Sequence, residues 1–165
     1  MNQNQLRIEQ YDTVLYNANL NPMGVPESVT KAIKDAANSI MKYPDNYYPA
    51  LKSAIATYAG CKDKDLVLAT GSSDLLRLYT SILAPKKAMV LVPSFTEYEK
   101  VLTTYGCEIV YYKLKEKDNF QFDIADFVSH LDSSLDLIIL GNPNNPTSQI
   151  ISRDDMETMA EVCKE

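Results

Sequence analysis

Histidine and cysteine are scarce in this chain. His130 is the sole histidine, and the three cysteines, Cys61, Cys107 and Cys163, lie far apart with no Cys-x-x-Cys pair among them. That supply argues against a structural zinc site, and an odd, scattered set of thiols fits a reducing compartment better than a disulfide framework. Cations are also in deficit: Lys and Arg number 16 against 22 Asp and Glu, a net charge of −6 with an isoelectric point near 4.8. A nucleic-acid or anionic-membrane surface needs clustered cations, so neither partner is expected. No apolar run approaches the length of a membrane span, and the start Met1–Gln10 is polar without an apolar core. Neither a transmembrane helix nor a secretory signal is therefore expected, and the expected location is cytoplasmic. Two phosphate-binding signatures are missing as well, GxxxxGK[ST] and GxGxxG. What is present is ordinary: 165 residues, 45% hydrophobic and 23% charged, the composition of a globular chain without long disorder.

The apolar pattern switches repeatedly between two periods. Pro26 and Glu27 open a stretch with Val29, Ile33, Ala36, Ala37, Ile40 and Met41 at helical spacing. Pro44-Asp45-Asn46 breaks it, and Pro49 opens a second helix that Gly60 stops. Leu66-Val67-Leu68-Ala69 reads as a short buried strand, followed by a helix through Leu75, Leu76, Tyr79 and Leu83. Strands are then expected at Ala88–Val92, Cys107–Leu114 and Leu137–Leu140. Helices are expected at Phe95–Tyr105, Ile124–Leu131 and from Ser152 to at least Lys164. The last of these opens on a capping pair, Ser152 and Asp155. Strands alternating with helices predict an α/β fold, a mainly parallel sheet with flanking helices, preceded by an N-terminal helical segment. The final helix reads as still running at Glu165, with no capping glycine, which suggests the front part of a larger protein.

Three segments that follow predicted strands could carry chemistry, because ligands of open α/β sheets sit at the carboxyl ends of the strands. In Thr70-Gly71-Ser72-Ser73-Asp74, a glycine lets a ligand approach the backbone, and the amides of a helix start point at an anion. The plainer alternative is an ordinary helix cap. In Pro93-Ser94-Phe95-Thr96-Glu97-Tyr98, Phe95 could stack on a planar ring, or Phe95 and Tyr98 could simply pack into the helix. The third, Gly141-Asn142-Pro143-Asn144-Asn145-Pro146-Thr147-Ser148, holds two Asn-Pro steps, and X-Pro bonds can be cis. Its asparagine amides offer both donors and acceptors.

In this order the segments resemble the class I/II aminotransferases of the pyridoxal phosphate (PLP) fold-type I superfamily. The nearest branch is similar to histidinol-phosphate aminotransferases and threonine-phosphate decarboxylases. The likeness runs from Asn19-Leu20-Asn21-Pro22-Met23-Gly24 through Lys42-Tyr43-Pro44-Asp45 to Asn142-Pro143-Asn144-Asn145-Pro146-Thr147, the last being the most specific. The resemblance implies that Gly71, Ser72 and Ser73 bind the PLP phosphate, that Phe95 stacks on the pyridine ring, and that Asn145, before a cis Pro146, hydrogen-bonds the ring hydroxyl oxygen. Tyr43 would reach the phosphate of a neighbouring subunit's cofactor, which presupposes a homodimer. Asn21 and Gly24 would belong to the segment that closes over substrate. Residues 1–48 would form the N-terminal arm and dimer-contact segment, and 49–165 an incomplete PLP-binding large domain. One departure stands out: the family has glycine where Ser148 stands, and a positive φ there would strain serine.

The resemblance further implies a lysine that forms a Schiff base with PLP, an acidic partner for the pyridine nitrogen and an arginine for a substrate carboxylate. All three follow the Asn-Pro-Thr segment in the family, so no catalytic residue is assigned within these 165, and the chain alone is expected to be inactive, to bind PLP weakly and to self-associate. At full length the implied activity is transfer of an amino group between an amino acid or amino-phosphate and a 2-oxo acid. A threonine-phosphate decarboxylase-like enzyme is one alternative, since the same cofactor can drive loss of a carboxylate. A non-catalytic binding or assembly module is another. No metal is assigned.

Overall fold

The computed structural model describes residues 19–164. The expectation about Met1–Gln10 lies outside them. The chain divides into two compact units, the first ending at Asp63 and the second beginning at Lys64.

Two helices make up the described part of the first unit. Helix α1, Glu27–Ala36, continues into a 3-10 turn at Ala37–Ser39, and α2 spans Pro49–Ala59. Proline is tolerated at the first position of α2 because the N–H it lacks would have no helical partner there. Gly60 ends α2 in the left-handed conformation, φ 67°, which only glycine adopts freely.

The second unit alternates as the sequence predicts: α3 Ser72–Leu83, β1 Lys87–Val92, α4 Glu97–Thr104, β2 Glu108–Lys113, α5 Ile124–Val128, β3 Leu137–Ile139 and α6 Arg153–Val162. The three strands form one parallel sheet in the order β2-β1-β3. Met89 pairs with Val110 on one side and Ile138 on the other. As the middle strand, β1 is buried on both faces, which explains its unbroken run Ala88-Met89-Val90-Leu91. Met89 and Leu91 face a cluster with Tyr112, Leu114, Phe127, Ile151 and Met159, on the side carrying α5 and α6. Ala88 and Val90 face the opposite cluster with Val101, Leu102 and Cys107, bordered by Leu76 of α3. The result is a three-layer α/β/α unit. Phe127 is fully enclosed, and burying a side chain of that size contributes about 2–3 kcal/mol.

Capping follows from local chemistry. Asp123 accepts a bond from the Asp126 N–H to open α5, and Ser152 accepts from the Asp155 N–H to open α6, the pair expected from the sequence.

Two expectations are corrected. Leu66–Ala69 is neither a strand nor buried: Val67 is half exposed, and none of the described strands pairs with the segment. An apolar run becomes a strand only where a neighbour takes up its N–H and C=O groups, and the three-stranded sheet leaves this one without such a neighbour. Helix α6 ends at Val162, short of the expected Lys164. Its last turn tightens, with the Lys164 N–H donating to the Glu161 carbonyl three residues back.

Candidate functional site

Helix α3 begins without a side chain closing it. Gly71 stands before its first residue at φ 93° and ψ 169°, and no side chain accepts a bond at this helix start. The Asp74 carboxylate, which could have turned inward, instead accepts a bond from the Thr70 N–H at 3.2 Å. A β-carbon built on Gly71 would meet nothing within 4 Å. The helix start is therefore uncapped and open at Gly71, with Ser72 exposed and Ser73 half-buried, and such an opening attracts an anion.

The neighbouring segment follows β1. Ser73 lines an open cavity of about 660 Å³ together with Thr96, Glu97, Arg77 and Lys100, so the start of α3 and the segment after β1 border the same space. Lys100 donates to Glu97 at 2.6 Å and holds its carboxyl below the usual range, with Arg77 adding a smaller pull. Phe95 is half-buried and meets Tyr98 edge to face, ring centres 5.7 Å apart at 86°. Tyr98 borders the core cluster, while Phe95 lies ahead of α4 in the loop.

The third segment follows β3 and is fastened to the second. The Asn144 side-chain amide donates to the Pro93 carbonyl at 2.9 Å, across 51 residues, and to Thr147 Oγ1 at 2.9 Å. A β-carbon on Gly141 would come within 3.2 Å of the Tyr98 hydroxyl, so here too the two segments touch. Asn142 clamps the far end, its amide donating to the Ile151 carbonyl and its Oδ1 accepting from the Ile151 N–H, both at 3.1 Å. Asn145 is exposed, and the peptide bonds before Pro93, Pro143 and Pro146 are all cis. Ser148 has φ 58°, a left-handed conformation that glycine adopts more readily. Because β1 and β3 are parallel neighbours, Phe95 and Asn145 leave the same end of the sheet.

The other three candidates belong to the first unit. The Asn21 amide donates to the Gly24 carbonyl, Asn21 Oδ1 accepts from the Met23 N–H, and the Gly24 N–H closes a turn onto the Asn21 carbonyl, each at 3.0 Å. Gly24 has φ 75°. Asn21 thus shapes its own turn. Tyr43 is 88% exposed, and its ring is buried against nothing.

The sequence profile of class I and II aminotransferases matches residues 11–165. The chain belongs to that family. Among class I/II aminotransferase relatives, a Caldanaerobacter subterraneus protein provisionally named threonine-phosphate decarboxylase is 40% identical over 84% of this chain and 37% of its own. The threonine-phosphate decarboxylase of Salmonella typhimurium is 34% identical over 90% and 41%, respectively. Among solved structures, the histidinol-phosphate aminotransferase of Clostridium acetobutylicum superposes with a TM-score of 0.77 at 33% identity, over 89% of this chain and 43% of that one. The chain thus spans about two-fifths of the length of these proteins. The second unit has the parallel α/β layers of the class I/II aminotransferase fold, as the sequence pattern predicted.

Reading the sequence missed Asn144 and Asn142. Three asparagines within four positions offer identical chemistry, and only burial and partners separate them.

Proposed function

We propose that this chain is the N-terminal part of a PLP-dependent class I/II aminotransferase, in which the described loops hold the cofactor and a lysine outside residues 1–165 carries the covalent step. The observation that supports it most is the open start of α3: a glycine with φ 93° and free space over it, two residues before Ser73, which shares a cavity with Thr96 and Glu97 of the segment after β1; that segment is itself bonded to the Asn142–Ser148 segment. A phosphate fits there because Gly71 has no β-carbon to occupy the space and the Ser72 and Ser73 amides and hydroxyls can donate to it.

When bound, PLP supplies a pyridine ring that draws electrons from the amine-bearing carbon of the substrate. The chain's own residues do the holding. Phe95 covers one face of the ring, and its T-shaped neighbour Tyr98 limits how far it can tilt. Asn145 donates its amide to the ring oxygen from a loop closed at its base by Asn142 on Ile151 and tied to Pro93 by Asn144. Asn21 and Gly24, bonded to each other in one turn, would belong to the segment that closes over substrate, and Tyr43, exposed to solvent, would contribute to the cofactor of a second subunit in a homodimer. In this reading, residues 1–48 form the arm and dimer contact, 49–165 the front of the cofactor domain, and the enzyme is cytoplasmic. Among the described residues, no helix is long and apolar enough to cross a membrane.

The substrates would be an amino acid or amino-phosphate as donor and a 2-oxo acid as acceptor. A second reading, decarboxylation of a phosphorylated hydroxy-amino acid, is favoured by the names of the relatives at 40% and 34% identity. One experiment addresses both. The natural full-length protein is loaded with PLP and divided: one portion is reduced with borohydride and mapped for a modified lysine, and the other, left unreduced, is given each donor and assayed for 2-oxo acid and for carbon dioxide. A trapped lysine with 2-oxo acid formation supports the aminotransferase, and carbon dioxide release supports the decarboxylase. Reversible binding with no trapped lysine would leave a plain binding module.

A further inference from the structure

We infer that Asn144 is a positioning residue: it sets the separation between Phe95 and Asn145, and so determines how tightly the pair grips one planar ring. The inference rests on the reading of Asn145 as a cofactor ligand.

Asn144 is 4% exposed, while Asn142, Asn145 and Ser148 around it are all exposed. Every polar group it owns except one is used. Its N–H donates to the Gln149 carbonyl at 2.8 Å, and its carbonyl accepts from the Ser148 N–H at 2.7 Å. Its side-chain amide donates to Pro93 and Thr147. The orientation of that amide is fixed by chemistry, because a carbonyl such as that of Pro93 can only accept, so the nitrogen must face it. Oδ1 is thereby turned away, buried and without a partner. Leaving a buried acceptor unpaired is unfavourable, and native structures keep such atoms only where something else requires the arrangement.

What requires it here is the span from Pro93 to Asn144. Pro93 lies two residues before Phe95, and Asn144 one residue before Asn145. The side-chain bond between them is therefore the shortest tie between a residue that would cover the ring and a residue that would hold its oxygen. Serine or alanine at 144 could fill part of the space but could not reach Pro93. Aspartate has the right shape but would set an oxygen against the Pro93 carbonyl oxygen.

The test is a double-mutant cycle on the PLP dissociation constant, read by absorbance titration of the apo form of the natural full-length protein. Loss of one buried neutral hydrogen bond corresponds to about threefold to tenfold in binding when it acts on the ligand. Asn144→Ala is expected to weaken PLP binding by that factor in the parent. In an Asn145→Ala background it should weaken binding by less than about twofold, because a residue acting through Asn145 has nothing left to position. A parent-sized loss in both backgrounds would make Asn144 a merely structural residue and overturn the inference. So would an unchanged dissociation constant in Asn144→Ala alone. If Asn145→Ala itself binds PLP as the parent does, the cofactor reading fails and this inference falls with it. Should Asn144→Ala not fold, Asn144→Ser keeps a polar side chain at 144 that is too short to reach Pro93. The same pair of backgrounds then decides, non-additive loss supporting the inference and additive or absent loss overturning it.

Discussion

Ser148 occupies a left-handed backbone conformation, φ 58°, that costs an ordinary residue about 1–2 kcal/mol and glycine almost nothing. Glycine returns part of that advantage through its greater freedom in the unfolded chain. Ser148→Gly is accordingly expected to stabilise the protein by about 0.5 kcal/mol, read as a higher urea midpoint with an unchanged slope. A lower midpoint would mean that the serine hydroxyl contributes more than the backbone strain removes. Asn142 makes the opposite case. Its side chain both donates to and accepts from the backbone of Ile151, so Asn142→Ala loses two bonds and should cost about 1–2 kcal/mol in the same measurement. The position of the strain at Ser148 was visible in the sequence, because a family pattern with glycine there flags a special φ. The division of labour among Asn142, Asn144 and Asn145 was not, because residue type carries no information about which amide turns inward.

At the scale of elements, the alternation of strands and helices was legible because β1, β2 and β3 are apolar runs bounded by proline, glycine and charged residues. Leu66–Ala69 looks the same on paper. It differs only in lacking a neighbour, and pairing between residues far apart in sequence leaves no mark in a short window. A single side chain secures the sheet where β1 begins. Asp136, just before β3, accepts bonds from the N–H groups of Lys86 and Lys87 at 2.7 and 3.1 Å, while its own N–H donates to the Lys87 carbonyl. Those backbone donors lower the pKa of the Asp136 carboxyl below its ordinary value. A group more acidic in the folded state stabilises fully above the unfolded value, about pH 4, and loses that contribution as pH falls through the folded value. Asp136→Asn should therefore lower the unfolding midpoint at pH 7 and flatten its decline below about pH 4. An identical loss at pH 7 and pH 3 would show that the charge is irrelevant.

On the scale of the whole molecule, the second unit leaves both flanks of its sheet open: among the described strands, β2 and β3 each have a neighbour on one side only. Leu78, Ile82 and Leu83 of α3 are also exposed, at 43%, 70% and 56%. Unpaired edges and uncovered apolar faces favour association. The 165-residue chain expressed alone is expected to sediment above its 18.5 kDa monomer mass in a concentration-dependent way. A strictly monomeric species across a hundredfold range of concentration would contradict that. The layered fold was readable from pattern alone, whereas the bond that ties the loop after β3 to the loop after β1 needed the structure.

The position of β1 between β2 and β3 also has a consequence in time. During synthesis the middle strand is complete at Val92, but its second neighbour begins only at Leu137, some 45 residues later. At the usual elongation rate of about 5–20 residues per second, that interval lasts seconds. Throughout it, the strand that will become the most enclosed part of the protein has one flank open to whatever else emerges, so the nascent chain is most vulnerable at the place where the finished one is best protected.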